Sequence, residues 1–466
     1  MIRTRLKDQW PTLLVAALAG TFGVALLHVT GLLAAAIAAD DVTGSSDTVA
    51  IMLGIVAVVF IVIAVYVSAV VTTNTVATVV AGRTRLIALL RLIGSSARAQ
   101  RMQIAREGLF IGLIGAVIGI AVGTAAAMAL EVIAVATDLM PSTDYDYLNV
   151  AVLLPAGAVV VTTWLASWVG SRRVLRVRPI QAIGDSREHD REELGRRRVR
   201  NVSAALLFAL GTALLVVGIV WGLTEPYGVL VGMAGGILSF TGIVLGAHVV
   251  MPPVLRLVGR ALGTSPAARL AAENAVRHPE RSSRMTIGIV IGVTLVTTFA
   301  VTMESYRELI RAAQRAQPEV YAGVDAMLDV TVAVFTVLIG FSALIAAIGM
   351  VNTLSLSVIQ RTRELGLLRA LGFDRRQLRR MIVAESAALT LAATVTGIVL
   401  GFGYGWAGAQ SLLGGAQGEG VLVLPGIPWA MFGALLLAAG VLTLVASIAP
   451  ARRAMRVAPV VALAVE

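Results

Sequence analysis

From Val49 to Ala81 the chain runs for 33 residues without a charged side chain. As a helix such a run measures ~50 Å, against a bilayer hydrocarbon core of ~30 Å. That single stretch commits the chain to lipid, and the helix must tilt strongly or project beyond the bilayer. Composition agrees. Of 466 residues 58% are hydrophobic and only 14% charged, where a soluble domain carries roughly a quarter charged. The expected fold class is an all-α polytopic membrane protein.

Read in order, the other apolar runs are Pro11–Ala38, Gly108–Ala136, Val150–Gly170, Val202–Leu223, Tyr227–Val250, Met285–Met303, Met327–Val358, Glu385–Gln410 and Pro428–Ile448. The first follows a basic start and ends in alanines, but it is much longer than the ~7–15 residues of a signal-peptide core. It reads as a membrane helix. Ten spans therefore fall as four, two and four. The corresponding units are residues 1–185, a charged linker and central hairpin over 186–262, and residues 263–466. With both termini inside, 34 of the 37 arginines lie on the inner side. The net charge of +11 is thus a positive-inside bias rather than a nucleic-acid face. The other three arginines, Arg307, Arg311 and Arg315, lie in Glu304–Glu319. Its apolar spacing predicts an amphipathic helix lying at the outer interface.

The chain repeats itself. Asn74–Gly94, NTVATVVAGRTRLIALLRLIG, returns as Asn352–Gly372, NTLSLSVIQRTRELGLLRALG, ten of twenty-one positions being identical at an offset of 278. Each copy leaves an apolar run, turns basic and amphipathic, and enters another apolar run. The spacing predicts a short inner helix in each, carrying Arg83, Thr84, Arg85, Leu89, Leu90, Arg91 and Gly94 in the first. The second carries Arg361, Thr362, Arg363, Glu364, Leu367, Leu368, Arg369 and Gly372. An even number of spans separates the copies, so the repeats share an orientation. A pseudo-two-fold axis along the membrane normal is expected to relate them.

The offset holds elsewhere. Gly112, Gly115, Gly119 and Gly123 return as Gly397 and Gly401, a spacing that lets helices approach closely in lipid. Glu107 and Glu385 each end a basic segment and open a span, where a carboxylate is favoured by the helix dipole or can pair with neighbouring arginines. They are candidate structural or coupling carboxylates. His28 and His248 fall within apolar runs, where hydrogen-bonded structural roles outweigh functional ones.

Chemistry of the chain's own is hard to find. A P-loop needs a lysine in GxxxxGK[ST], and the one lysine, Lys7, has no such setting. There is no metal-ligand spacing and no cysteine. The chain does not read as an enzyme, and no cofactor is expected in it.

The second basic segment and its sequel, NTLSLSVIQRTRELGLLRALGFDRRQLRRMIVAESAALTLAATVTGIVLG, resemble FtsX/MacB-like ABC transporter permeases. AAENAVRHPERSSRMTIGIVIG resembles their entry into a repeat, and ARRAMRVAPVVAL their closing segment. The first repeat is collinear but weaker, with Leu86 where the second has Glu364. The resemblance implies four-span units with a cytoplasmic coupling helix after the second span, working on two copies of a separate ATPase subunit that binds ATP and Mg. It implies a bacterial cytoplasmic membrane protein. The family commonly carries a large extracytoplasmic domain between the first two spans of a repeat. Here those intervals are about ten and about twenty-three residues.

Two functions follow as expectations. One is ATP-driven export or extraction of an amphiphile (lipid, lipopeptide, antimicrobial peptide or hydrophobic antibiotic) entering from the bilayer. The alternative is mechanotransmission, the same stroke actuating an extracytoplasmic partner without transport. An ion-coupled secondary transporter would not need two matched basic surface helices.

Overall fold

The computed structural model describes residues 2–38, scattered helical residues between 54 and 77, 84–137, 145–147, 149–172, 191–261, 279–316, 374–415 and 420–441. Among these every regular element is helical. They are α1 (Ile2–Ala38), α2 (Thr84–Leu92), α3 (Ala97–Ala136), α4 (Leu153–Gly170), α5 (Arg191–Trp221), α6 (Gly228–Ala261), α7 (Pro279–Ala316), α8 (Arg375–Leu413) and α9 (Trp429–Val441). Seven are long and apolar enough to cross a membrane, and α9 is a shorter apolar helix. All eight coincide with expected spans. The expected span Met327–Val358 lies outside the described residues.

Several helices outrun the apolar segments that predicted them. α3 takes in Arg98, Arg101 and Arg106, and α5 begins in the charged linker at Arg191. Glu304–Ala316 is no separate surface helix, because it continues α7 without a break. Tyr306 and Leu309 pack on Ala409, Leu413 and Val423, so the apolar stripe that suggested an interfacial helix is covered by the protein itself.

Lipid tails are as apolar as leucine, so helices in a bilayer are held by close packing rather than by hydrophobic exclusion. Small residues supply it here. In the pair α1–α3 a side chain at Gly119 would bring its Cβ to 2.6 Å from the Gly20 Cα, and one at Gly115 to 2.7 Å from the Ala16 Cβ. Gly123 faces Thr21 and Val24. The pair α7–α8 repeats the arrangement with Gly397 on Val293, Gly401 on Thr297 and Gly405 on Thr298 and Val301. Matching Phe22 to Phe299 also matches Thr21 and Val24 to Thr298 and Val301. Gly405 therefore does the work of Gly123, and Gly401 that of Gly119. The offset of 278 assigned Gly401 to Gly123, so the packing register differs from the sequence register by four residues, about one helical turn.

The hairpin α5–α6 has no counterpart in the repeats; α5 is largely exposed, while α6 joins the shared core. Phe240, Met251 and Leu255 of α6 share one core with Val15, Phe22 and Leu26 of α1, Ile289, Val290 and Phe299 of α7, and Leu389, Ala392 and Ala393 of α8. Tyr66 of the second apolar run shares a hydrogen bond with Thr241 at 2.8 Å, and Ser239 shares one with Tyr404 of α8 at 2.9 Å. Phe240 stands edge-on between the two tyrosines, its ring 6.3 and 6.2 Å from theirs.

Candidate functional site

α2 is the first of the two basic helices. Its register is set by Ile87 and Ala88, both buried with Val76 and backed by Ala97 and Ile104. Leu89, Leu92 and Ile93 follow at i, i+3 and i+4 spacing, which places them on one face. All three are exposed, Ile93 at 81%. A stripe of exposed apolar side chains on a helix that also carries Arg91 is a surface made to be covered.

The helix stops sharply. Gly94 adopts φ +101°, a backbone conformation that side chains with a Cβ disfavour. Its N–H bonds the Arg91 carbonyl at 3.2 Å, and the Ser95 N–H reaches back to the Leu90 carbonyl at 2.9 Å. These are the two bonds of a Schellman stop. Ser96 then caps α3, its Oγ accepting from the Ala99 N–H at 3.1 Å. Gln100 donates to Ser95 Oγ at 3.2 Å, so the turn between the helices is tied from both sides. α8 starts 278 residues later with Asp374 in the position of Ser96. There the Gln377 side chain accepts from the Asp374 N–H at 2.9 Å, the complementary half of a capping box.

At the same end of the bundle Arg101 ties α3 to α4. Its guanidinium lies 4.4 Å over the Trp168 ring and donates to the Trp168 carbonyl at 3.0 Å, and Arg172 approaches the same ring at 5.7 Å.

Of the expected site residues, Thr84, Arg85, Leu89, Leu90 and Arg91 belong to α2 and Gly94 forms its stop. Leu89 and Leu90 are exposed. Arg83 lies outside the described residues. So does the whole second set, Arg361, Thr362, Arg363, Glu364, Leu367, Leu368, Arg369 and Gly372. Glu107 is half-buried, accepts from Gln103 at 3.2 Å, and stands about three turns into α3. Glu385 is buried at the matching place in α8. The dipole account of these carboxylates is corrected, since the effect fades within the first turn. Leu92 and Ile93, exposed beside Leu89, stand outside the expected set, although their i+3 and i+4 spacing from Leu89 is visible in the sequence.

The opposite ends of these helices are tied by unrelated chemistry at related places. Buried His28 of α1 bonds Thr124 of α3 at 3.1 Å. Its ring lies 5.9 and 5.2 Å from those of Tyr145 and Tyr147. Tyr147 donates its hydroxyl to Glu131. Burial, then the bond to Glu131, holds that phenol above its usual pKa, and burial beside Asp146 does the same for Tyr145. In the other pair Ser305, which matches His28 when Phe22 is matched to Phe299, accepts from the Gly426 N–H at 2.9 Å. His248 bonds Asn201 at 2.8 Å. Tyr147→Phe is expected to lower stability by about 1–3 kcal/mol, because it leaves Glu131 without its donor. Thermal unfolding in detergent checks this, and an unchanged melting temperature would discount the tie.

Residues 58–179 and 336–459 each match the description FtsX-like permease C-terminal. Together they cover more than half the chain. The protein belongs to the FtsX-like permease family. Within this FtsX-like permease the first match encloses α2, α3 and α4, and the second begins before α8 and continues past α9. Similar proteins include YknZ of Bacillus subtilis, an uncharacterized ABC transporter permease, 35% identical over 97 residues, which are 21% of this chain and 24% of the relative. The macrolide export ATP-binding/permease protein MacB of Hyphomonas neptunium is 33% identical over 149 residues, 31% of this chain and 22% of the relative. The pyoverdine export ATP-binding/permease protein PvdT of Pseudomonas entomophila is 35% identical over 126 residues, 27% and 18% of the two chains. The aligned stretches span about a quarter or less of these relatives.

Proposed function

We propose that this FtsX-like permease is the membrane subunit of an ABC transporter, coupling ATP hydrolysis by separate ATPase subunits to export or extraction of an amphiphilic substrate. The observation that carries the reading is α2, a short helix with Leu89, Leu92 and Ile93 exposed and its other face seated on the bundle. A partner groove would take the apolar stripe, and its carboxylates would take the arginines. The stop at Gly94 and the cap at Ser96 leave no slack between α2 and α3, so a push on α2 reaches the α1–α3 packing directly. Names containing both "ATP-binding" and "export" among the relatives support the same reading.

In full, the proposal has ten spans as 4+2+4, with units 1–185, 186–262 and 263–466, and two parallel repeats about an axis along the membrane normal. Arg83–Gly94 and Arg361–Gly372 seat two ATPase copies, which hold the ATP and Mg. Both termini face the cytoplasm of a bacterial cell. Substrate enters from the bilayer, whose lipid the helices contact.

The test is reconstitution of the permease with its ATPase in liposomes, assayed against a panel of lipids, lipopeptides and hydrophobic antibiotics. At least one class should stimulate ATP hydrolysis, and the paired replacement of Arg83 and Arg85, or of Arg361 and Arg363, by alanine should abolish the stimulation. Stimulation by none, with intact assembly, would remove transport and leave mechanical signalling. For topology, a cysteine replacing Asp190 in this cysteine-free chain should resist an impermeant thiol reagent applied from outside. Labelling there would overturn the orientation.

A further inference from the structure

Between α8 and α9 the chain crosses the outer end of the bundle as an extended ledge, pinned on one edge. The Val421 N–H bonds the Gly414 carbonyl at 2.9 Å, and the Val421 carbonyl accepts from Gln410 Nε2 at 2.9 Å. The Val423 N–H bonds Gln410 Oε1 at 2.7 Å, and the Val423 carbonyl accepts from Trp406 Nε1 at 3.0 Å. Gln410 is buried, and its amide behaves like a rung of a strand, giving and receiving one bond each.

Backbone groups alternate sides along an extended chain. Residues 421 and 423 spend theirs inward, so Leu422 and Leu424 turn theirs outward. Neither leucine has a backbone hydrogen bond among the described residues. Their side chains are 68% and 69% exposed, while Val423 between them is buried. Proteins blunt an open strand edge with charges, bulges or proline. Here the two open positions are leucines, and the next N–H in their phase, that of Gly426, is taken by Ser305 Oγ at 2.9 Å.

We propose that Val421–Leu424 is a docking edge for an extended peptide, which adds as a strand to the N–H and C=O groups of Leu422 and Leu424 and lays apolar side chains against them. Acyl chains could cover the leucines but would leave all four backbone groups unpaired, which lipid does not tolerate. A peptide strand satisfies them in matched pairs, the mode called strand addition. The ledge is already fixed by Gln410 and Trp406, so binding does not have to order it. Calling this peptide a cargo rests on the export reading; the docking itself does not.

The probe is a fluorescent hexapeptide of alternating valine and threonine, titrated by anisotropy against the full chain in nanodiscs without ATPase. Saturable binding is expected. N-methylation of the alternate amides that face the edge should weaken it at least tenfold while leaving side-chain hydrophobicity in place. Leu422→Pro, which removes one outward N–H and spares the bonds of Val421 and Val423, should weaken it similarly. The paired Leu422→Lys and Leu424→Lys exchange tests the apolar contact with the backbone kept. Equal binding of the methylated peptide, or no binding of either, overturns the proposal. So does strong quenching of a label at position 422 by brominated lipid, which would mean that bilayer covers the ledge. With the ATPase added, binding without stimulated hydrolysis would keep the docking edge and remove the peptide from the cargo list. Absence of binding beside stimulation by another amphiphile would remove the edge and keep export.

Discussion

Replacing Ile93 by aspartate is expected to strip the ATPase from the purified complex while leaving the permease folded. Ile93, directly after α2, is 81% exposed, so the isolated chain loses almost nothing by the change. An apolar anchor at the centre of an interface contributes about 2 kcal/mol or more, roughly thirtyfold in affinity, and a carboxylate buried in its place adds a desolvation penalty. Two neighbours make the control. Ala88 is fully buried, so Ala88→Asp should lower folded yield as well as assembly. Leu89→Asp should behave like Ile93→Asp. ATPase recovered per permease after affinity purification measures all three. Normal recovery with Ile93→Asp would take the contact surface away from α2.

Gly119→Leu is expected to be strongly damaging to the transmembrane interior. A Cβ there meets the Gly20 Cα at 2.6 Å, and backbone cannot swing aside as a side-chain tip can. Overpacking in ordinary cores costs about 1–3 kcal/mol, and this site should lie at or above the upper end. Gly401→Leu, against Thr297 and Thr294, should resemble it. Gly157 and Gly403 have nothing within 4 Å of an added Cβ, so leucine at either should leave the melting temperature in detergent unchanged. Equal tolerance at all four positions would mean that α1–α3 and α7–α8 are not held by close approach.

The sequence made some of this easy to read because its signals were local. Apolar length located every described long helix, and the 278-residue offset carried through to the first residues of α3 and α8, Ala97 and Arg375. The errors came where the answer depended on neighbours. Tyr306 and Leu309 look like the lipid-facing stripe of a surface helix until Leu413 and Val423 cover them. Glu107 looks like the first residue of a span until α3 is seen to begin at Ala97, well before the lipid-soluble part. The exposure of Ile93 is not legible in sequence, because helical spacing shows that Leu89, Leu92 and Ile93 share a face but not whether that face is covered. The ledge at Val421–Leu424 was invisible for another reason: what matters there is which backbone groups Gln410 and Trp406 have already used.

The one-turn difference between the glycine ladders has a practical consequence. Superimposing α8 on α3 by sequence leaves α7 displaced along its own axis relative to α1, by about the ~5.4 Å of a helical turn. The shift carries α7 away from the end of the bundle that holds α2. The Glu304–Ala316 end of α7 therefore stands about a turn beyond the corresponding end of α1.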